Sequence, residues 1–374
     1  MTSTTHTRAA GLFEPVRLGA IELANRVVMA PLTRMRSGPA GVPGDLLVEH
    51  YRQRASAGLI IAEGTYPSHE SQTYMGQPGI VTAEQTAGWR NVADAVHERG
   101  GHIVLQLMHG GRTSHPGING GRRVLAPSAI PLHGTAHTPN GKQPFPVPEA
   151  MSPAQAEAVM DDFVTAAWQA VDVRLADLDG VEIHAANGFL LHQFLSPAAN
   201  QRTDAYGGSP QNRARFVAEV VTAVANTIDA DRVGLRISPE HNIQDAHETD
   251  RDDVLATYGS LLDQLRPLNL AYLSILHHEP AGDLVQELRQ RFGGKVILNT
   301  GFTSATSRKD AVRLMESADA VAVGRAIIAN PDLVERWQGG HPENPVRQEL
   351  FYMGGHEGYT DYPFLTPCLR RSLG

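Results

Sequence analysis

Short apolar runs rich in Val, Ile and Leu recur along the chain at 26–31, 58–63, 102–108, 180–184, 232–238, 271–276, 295–299 and 320–323. Each has the length and β-branched content of a buried strand. Between most of them lie segments with helical spacing. Residues 84–99 place Trp89, Val92, Ala95 and Val96 on one face. A long helix is predicted to start at Ser152, with Ser152 as N-cap, Pro153 at the first helical position and Gln155 closing a capping box. Residues 45–57, 212–228, 253–265, 282–292, 304–315 and 330–337 complete the alternation. Strands alternating with helices build βα units and a parallel sheet. Eight units are the count of an α/β fold of the (β/α)8 TIM barrel type. A doubly wound sheet is the competing architecture. Its glycine fingerprint is missing, because the first strand runs into Pro31, Leu32, Thr33 and Arg34 and no G-x-G-x-x-G follows. One segment breaks the rhythm. Residues 111–151 are polar, rich in Gly, Pro and His, and without helical period. They leave the third strand at the barrel's catalytic face, so they are expected to form a lid or side wall over the site.

Composition narrows this picture. The 374 residues would allow two or three domains, but no boundary or longer repeat interrupts the pattern. A single barrel domain spanning 1–374, with insertion 111–151, is expected. With 41% hydrophobic and 19% charged residues the chain is not disordered. A net charge of −8 supplies no basic surface for nucleic acid. No apolar run approaches the ~20 residues of a membrane span, and residues 1–11 lack the apolar core of a signal peptide. The single cysteine, Cys368, excludes a disulfide framework, a Cys-rich zinc site and a cysteine-held iron–sulfur cluster. A soluble, cytoplasmic protein that binds neither nucleic acid nor membrane is expected.

Barrel enzymes place their chemistry at the C-terminal ends of the strands. The polar residues there are Thr33, Glu63 and Gly64, Gln106 and His109, His184 and Asn187, Arg236, Asn299 and Gly301, and Gly324 and Arg325. In the third strand the large residues Ile103, Leu105 and Leu107 share one face, suited to the helix shell, which turns Gln106 inward. The same parity turns Arg236 inward. A buried guanidinium and amide need partners, which either a bound polar ring system or neighbouring structural groups supply. The turns after strands seven and eight carry Gly301 and Gly324 ahead of predicted helices, with Arg325 beside them. Barrels often bind phosphate at this place, though such glycines also occur in ordinary βα turns. His184 with Asn187 three residues on can aim two neutral donors at one ligand oxygen. Such a pair polarises a carbonyl or nitro group; chemistry alone does not name the reaction.

Longer motifs do. Residues 12–15 and 25–34, the stretch 182–195, the run 204–209 with 212–216, and residues 351–352 with 358–363 together resemble the Old Yellow Enzyme family of FMN-dependent ene-reductases. The likeness runs from about Leu12 to Pro363. It implies a (β/α)8 barrel with non-covalent FMN, reduced by NADPH or NADH. It implies that Pro31, Leu32 and Thr33 lie beside the flavin ring and that Gly64 lets the backbone approach it. It further implies that Gln106 bonds the pyrimidine part, and that Arg236 faces the edge where a cation stabilises reduced flavin. Asn299, Gly301, Phe302, Gly324 and Arg325 would belong to the phosphate end. His184 and Asn187 would bind the electron-withdrawing oxygen of an electron-poor alkene, the small-molecule partner. Tyr352, Phe189, Tyr74 and Met108 would line the substrate pocket. Family members carry a hairpin insertion after strand three, matching 111–151.

One departure stands out. The family motif has Tyr two residues after the Asn, as the acid that protonates the α-carbon, and here that position is Phe189. General acid catalysis is worth roughly 10²–10⁴-fold. Its loss leaves three routes: protonation by water or another pocket group such as Tyr352, substrates such as nitro compounds or nitrate esters that need no such acid, or a flavin-dependent C=C isomerase without net reduction. Net reduction is the first expectation. A flavin-binding protein without catalysis and a phosphate-binding aldolase-type barrel are weaker alternatives; for the latter no lysine ends a central strand. Cys368 reads as an incidental thiol and the pair His277 and His278 as structural or solvated. The loop 240–248 matches no metal spacing, so no metal is expected.

Overall fold

The computed structural model describes residues 11–301 and 305–366. Eight parallel strands close into a barrel: Val27–Met29, Leu59–Ile61, Ile103–Leu107, Gly180–Ala185, Val233–Ile237, Tyr272–Leu276, Val296–Asn299 and Ala320–Val323. The eighth strand returns to the first, with Val321 opposite Val27. Each strand falls within or within one residue of an apolar run expected from the sequence. Side chains alternate as strand geometry requires. Ile103, Leu105, Leu107, Leu235 and Ile237 pack into the shell between sheet and helices. Val28, Leu59, Ile61, Val104, Ile297 and Ala322 fill the interior.

The helices Asp45–Gln53, Ala83–His97, Pro153–Val171, Pro210–Ile228, Arg251–Leu265, Asp283–Phe292, Arg308–Leu314 and Leu333–Gly339 form the outer layer. Ser152 caps its helix as expected, accepting from the Gln155 N–H in a complete capping box. Two helical expectations are corrected. The helix placed at 304–315 begins at Arg308, because Ser307 and Asp310 form the capping box that starts it. The helix placed at 330–337 starts at Leu333 and runs to Gly339, and a separate short helix, Arg325–Ala329, precedes it; Asn330 between them is extended and bonds back to the Ala326 carbonyl. No helix among the described residues is long and apolar enough to cross a membrane.

A hairpin of two three-residue strands, Val16–Leu18 and Ile21–Leu23, has no counterpart in the expected elements. Its Leu18, Ile21 and Leu23 pack against the interior residues and plug the barrel floor. Gly19 turns it at φ +57, where a Cβ would stand 2.0 Å from the Asp231 carbonyl oxygen. The insertion contains its own hairpin, Thr135–Thr138 with Gly141–Pro144, and a short parallel pair, Leu125–Ala126 with Glu149–Ala150. It leans on the loop after the fifth strand. The His133 N–H donates to Asp245 at 2.8 Å, and Arg112 donates to the Gln244 carbonyl at 3.0 Å.

Candidate active site

The barrel interior changes from apolar to polar toward the strand ends. Gln106, Glu182, His184 and Arg236 all point inward. Gln106 lies opposite Glu182, and His184 opposite Arg236. The Gln106 amide donates to the Glu182 carboxylate at 2.7 Å. Gly234 stands opposite Glu182, and a Cβ there would meet the Tyr272 ring at 2.2 Å, so the glycine makes room for that ring. Arg236 is 3% exposed, yet its Nε and Nη1 atoms have no hydrogen-bond partner. An unsatisfied buried guanidinium is costly. A flat ring with carbonyl oxygens along one edge satisfies it, so this layer fits a flavin.

His184 sits two residues beyond Glu182 on the same inward face. Its Nδ1 accepts the Ala186 N–H at 3.2 Å, so a neutral ring carries its proton on Nε2. Burial and then the positive charge of Arg236 push its pKa well below the ordinary value, which keeps it neutral. Asn187 follows in the left-handed region, φ +58. Its N–H donates to Ser238 Oγ at 2.8 Å, and its Oδ1 is buried without a partner. Gly188 has φ +79 and donates to His192 Nδ1 at 2.7 Å. Gln193 ties the turn to the insertion, donating to the Gly188 and Gly110 carbonyls and accepting the Arg112 N–H. Ser238, Gln193 and His192 were invisible as site residues in the sequence, where a Ser after a strand or a His in a helix carries no signal. Phe189 is 6% exposed and meets the His184 ring edge-on, with centroids 4.9 Å apart.

The remaining expected residues lie around this centre. Pro31, Leu32 and Thr33 are half-buried just beyond the first strand. Gly64 abuts Met108: a Cβ at 64 would stand 2.7 Å from the methionine sulfur, so the glycine is shaped to that side chain. Met108 is itself buried. The hydroxyl of half-buried Tyr74 is pushed up to about 12 by burial and by neighbouring Tyr352. Tyr352 is 63% exposed. Its segment is held down by two arginines that leave the first strand. Arg36 donates to the carbonyls of Leu350, Phe351, Met353 and Gly355, and Arg34 to those of Phe351 and Gly358. Behind them, burial pushes the Glu63 carboxyl up to about 7 although it accepts the Arg34 N–H.

At the seventh and eighth strands, Asn299 spends its amide on the fold. It donates to the Ala322 carbonyl and accepts the Gly301 N–H, both at 2.9 Å. Gly301 has φ +86, and among the described residues a Cβ there would meet only the His277 carbonyl oxygen, at 3.8 Å. At Gly324 it would meet only Leu32, at 3.5 Å. These two open glycines leave a cradle that suits a phosphate. The helix expected after Gly301 runs Arg308–Leu314. Arg325 begins the five-residue helix after Gly324. Phe302 and Cys368 lie outside the described residues. His277 is buried, accepting the Glu279 N–H and facing Glu240, while His278 is exposed beside it.

Residues 11–344 match the model of the NADH:flavin oxidoreductase / NADH oxidase family. The chain is 40% identical over 365 residues to a probable flavin mononucleotide-dependent alkene reductase of Leishmania infantum, covering 95% of this chain and 97% of the relative. Morphinone reductase in complex with tetrahydroNAD superposes with a TM-score of 0.88 at 42% identity, over 96% of this chain and 98% of that one. An old yellow enzyme homologue from Zymomonas mobilis gives 0.89 at 36% identity, over 95% and 100%.

Proposed function

The chain belongs to the NADH:flavin oxidoreductase / NADH oxidase family, and from that premise we propose that it reduces the activated C=C bond of α,β-unsaturated carbonyl or nitro compounds at the expense of NADPH or NADH. It is an FMN-dependent oxidoreductase of the alkene-reductase kind. FMN, when bound, supplies the redox chemistry by accepting hydride from the nicotinamide and giving it to the alkene. The residues that would hold it are Gln106 and Arg236 at the ring's polar edge, Pro31, Leu32, Thr33 and Gly64 along the ring, and the cradle of Gly301, Gly324 and Arg325 at the phosphate. Insertion 111–151 forms a side wall of the site; its bonds to Gln244 and Asp245 support this.

The observation that carries the reading is the His184 and Asn187 turn. His184 is neutral, its Nε2–H is set by the Ala186 bond, and Asn187 is fixed in a left-handed conformation by Ser238. Two neutral donors held this way bind the substrate's carbonyl or nitro oxygen and stabilise the negative charge that grows there as hydride reaches the β-carbon. A neutral donor also leaves the oxygen's proton balance untouched, so the α-carbon takes its proton from elsewhere. Phe189 has none to give; water or the Tyr352 hydroxyl provides it. Nitro compounds and nitrate esters form a second substrate group, since they do not need that proton at carbon.

The test is anaerobic reduction of the purified protein with NADPH or NADH, followed by flavin absorbance, then addition of 2-cyclohexenone or a nitroalkene. Bleaching followed by alkene-driven recovery of the oxidised spectrum is expected. A reduced protein that neither substrate reoxidises would sink the proposal. Interconversion of alkene isomers without net nicotinamide consumption would put an isomerase in its place.

A further inference from the structure

Beneath the polar layer stands a carboxylate to which the proposed reaction gives no task. Glu182 is 0% exposed in the middle of the fourth strand. Its Oε1 accepts the Gln106 amide at 2.7 Å, and its Oε2 has no partner. The Tyr272 hydroxyl faces it and, like the Gln106 amide, favours its ionised form. Arg236 is the cation on its side of the barrel. Burial raises the Glu182 pKa, and the Arg236 charge and the Gln106 amide oppose that rise. A well-packed apolar residue would fill this space at less cost, so the acid is best understood by what it does to its neighbours.

It does two things. A glutamine amide has one acceptor oxygen and one donor nitrogen, and an ionised carboxylate only accepts. Glu182 therefore claims the Gln106 nitrogen and leaves the Gln106 oxygen as the end that meets a further group. It also places a negative charge near Arg236 in a low-dielectric interior, where such charges are felt strongly. Reduced flavin carries more negative charge than oxidised flavin, so the net field beneath the ring sets how readily it is reduced. We propose that Glu182 is a positioning residue for the cofactor, turning the Gln106 amide oxygen toward the flavin and offsetting the Arg236 charge, and so lowering the flavin's reduction potential. This rests on the reading that Gln106 and Arg236 meet the flavin.

Two variants separate charge from position. Glu182→Gln keeps the shape and an acceptor for Gln106 but removes the charge. FMN should stay bound, with its preference for the reduced state raised about tenfold, a rise of ~30 mV for a two-electron couple. Glu182→Asp keeps the charge but shortens the arm. FMN binding should weaken about fivefold, the scale of one hydrogen bond, with the potential near that of the unaltered protein. An unchanged or lowered potential in Glu182→Gln overturns the proposal. So do parallel changes of both quantities in both variants, the mark of a generally disturbed barrel. Should Glu182→Gln fail to hold FMN, Glu182→Asp decides: weaker binding at unchanged potential supports the proposal, and unchanged binding overturns it. Arg236→Gln is the control. If it alters neither affinity nor potential, the underlying placement of the flavin is wrong. If it alters the potential while Glu182→Gln is silent, only the role of Glu182 falls.

Discussion

Phe189 meets the His184 ring edge-on, two residues beyond Asn187. Its ring has no proton to give, and a tyrosine there would add one. Phe189→Tyr should therefore speed enone-driven reoxidation of the reduced enzyme, by a factor bounded by the ~10²–10⁴ worth of general acid catalysis. Stopped-flow flavin absorbance measures it, and an unchanged rate would mean that protonation is not limiting or has another donor. Ser238 is the complementary case, a residue whose side-chain hydroxyl accepts the backbone N–H of Asn187. Ser238→Ala leaves the Asn187 N–H buried without its acceptor, a loss of about 1–3 kcal/mol. Part of that will appear in unfolding. The rest should appear as a raised KM for the enone, because Asn187 at φ +58 is no longer fixed. His184 and Asn187 were legible from sequence because a strand end tells where a side chain must be. Ser238 and Glu182 were not, since their roles exist only once neighbouring strands set the register.

The strap formed by residues 350–358 shows the same limit at the scale of an element. It has no period and no regular structure beyond the turn Gln348–Leu350, and its anchors are more than 300 residues away in sequence. Nothing local in the sequence marks Arg34 and Arg36 as anchors, yet their guanidinium groups sit over the Tyr359 ring, at 4.9 and 4.5 Å from its centroid, inside a cage of carbonyl oxygens. Carbonyl-caged arginine is a bidentate, planar device that lysine cannot copy. Arg36→Lys or Arg36→Gln should loosen the strap and move Tyr352. The expected result is a several-fold higher KM for enones at unchanged FMN affinity. In a Tyr352→Phe background, Arg36→Gln should add less than it does alone, because both act on one group. Full additivity would place the effect of Arg36 outside the substrate pocket. By contrast, the start of the helix Pro153–Val171 was legible to the residue, because it is written locally in Ser152, Pro153 and Gln155.

For the molecule as a whole, eight apolar runs sufficed to give the barrel, since each strand is buried on both faces and so reads as a continuous hydrophobic stretch. The floor plug was hidden because exposed Arg17 and Glu22 interrupt its two short strands, so that neither reads as a continuous apolar run. The floor also carries an ionic staple. Asp179, just before the fourth strand, accepts the Ile103 N–H at 2.7 Å, His97 Nε2 at 3.0 Å and His102 Nδ1 at 3.1 Å. It thereby ties the end of the helix Ala83–His97 to the third and fourth strands. Hydrogen bonding to Asp179 raises the pKa of both histidines above 6.5. Burial works to raise the Asp179 pKa, but the bonds from His102, His97 and Ile103 hold it well below 3.8. The histidines bind protons more tightly in the folded state, so their contribution is complete below pH 6.5 and is lost as the pH rises through their raised values. The aspartate's contribution is present above pH 3.8 and lost as the pH falls through its lowered value. The staple therefore stabilises most between these limits. Both histidines are about one-third exposed, so solvent screening keeps the charge-dependent part to ~1 kcal/mol or less. Asp179→Asn should lower the Tm at pH 5.5, with a charge-dependent part of about 1–3 °C. That part should diminish as the pH rises above 6.5 through the raised values of the two histidines, and shrink in high salt, leaving the smaller deficit from the Ile103 bond. A Tm difference that stays constant from pH 5.5 to pH 8.5 would show that the staple acts through packing and hydrogen-bond geometry alone.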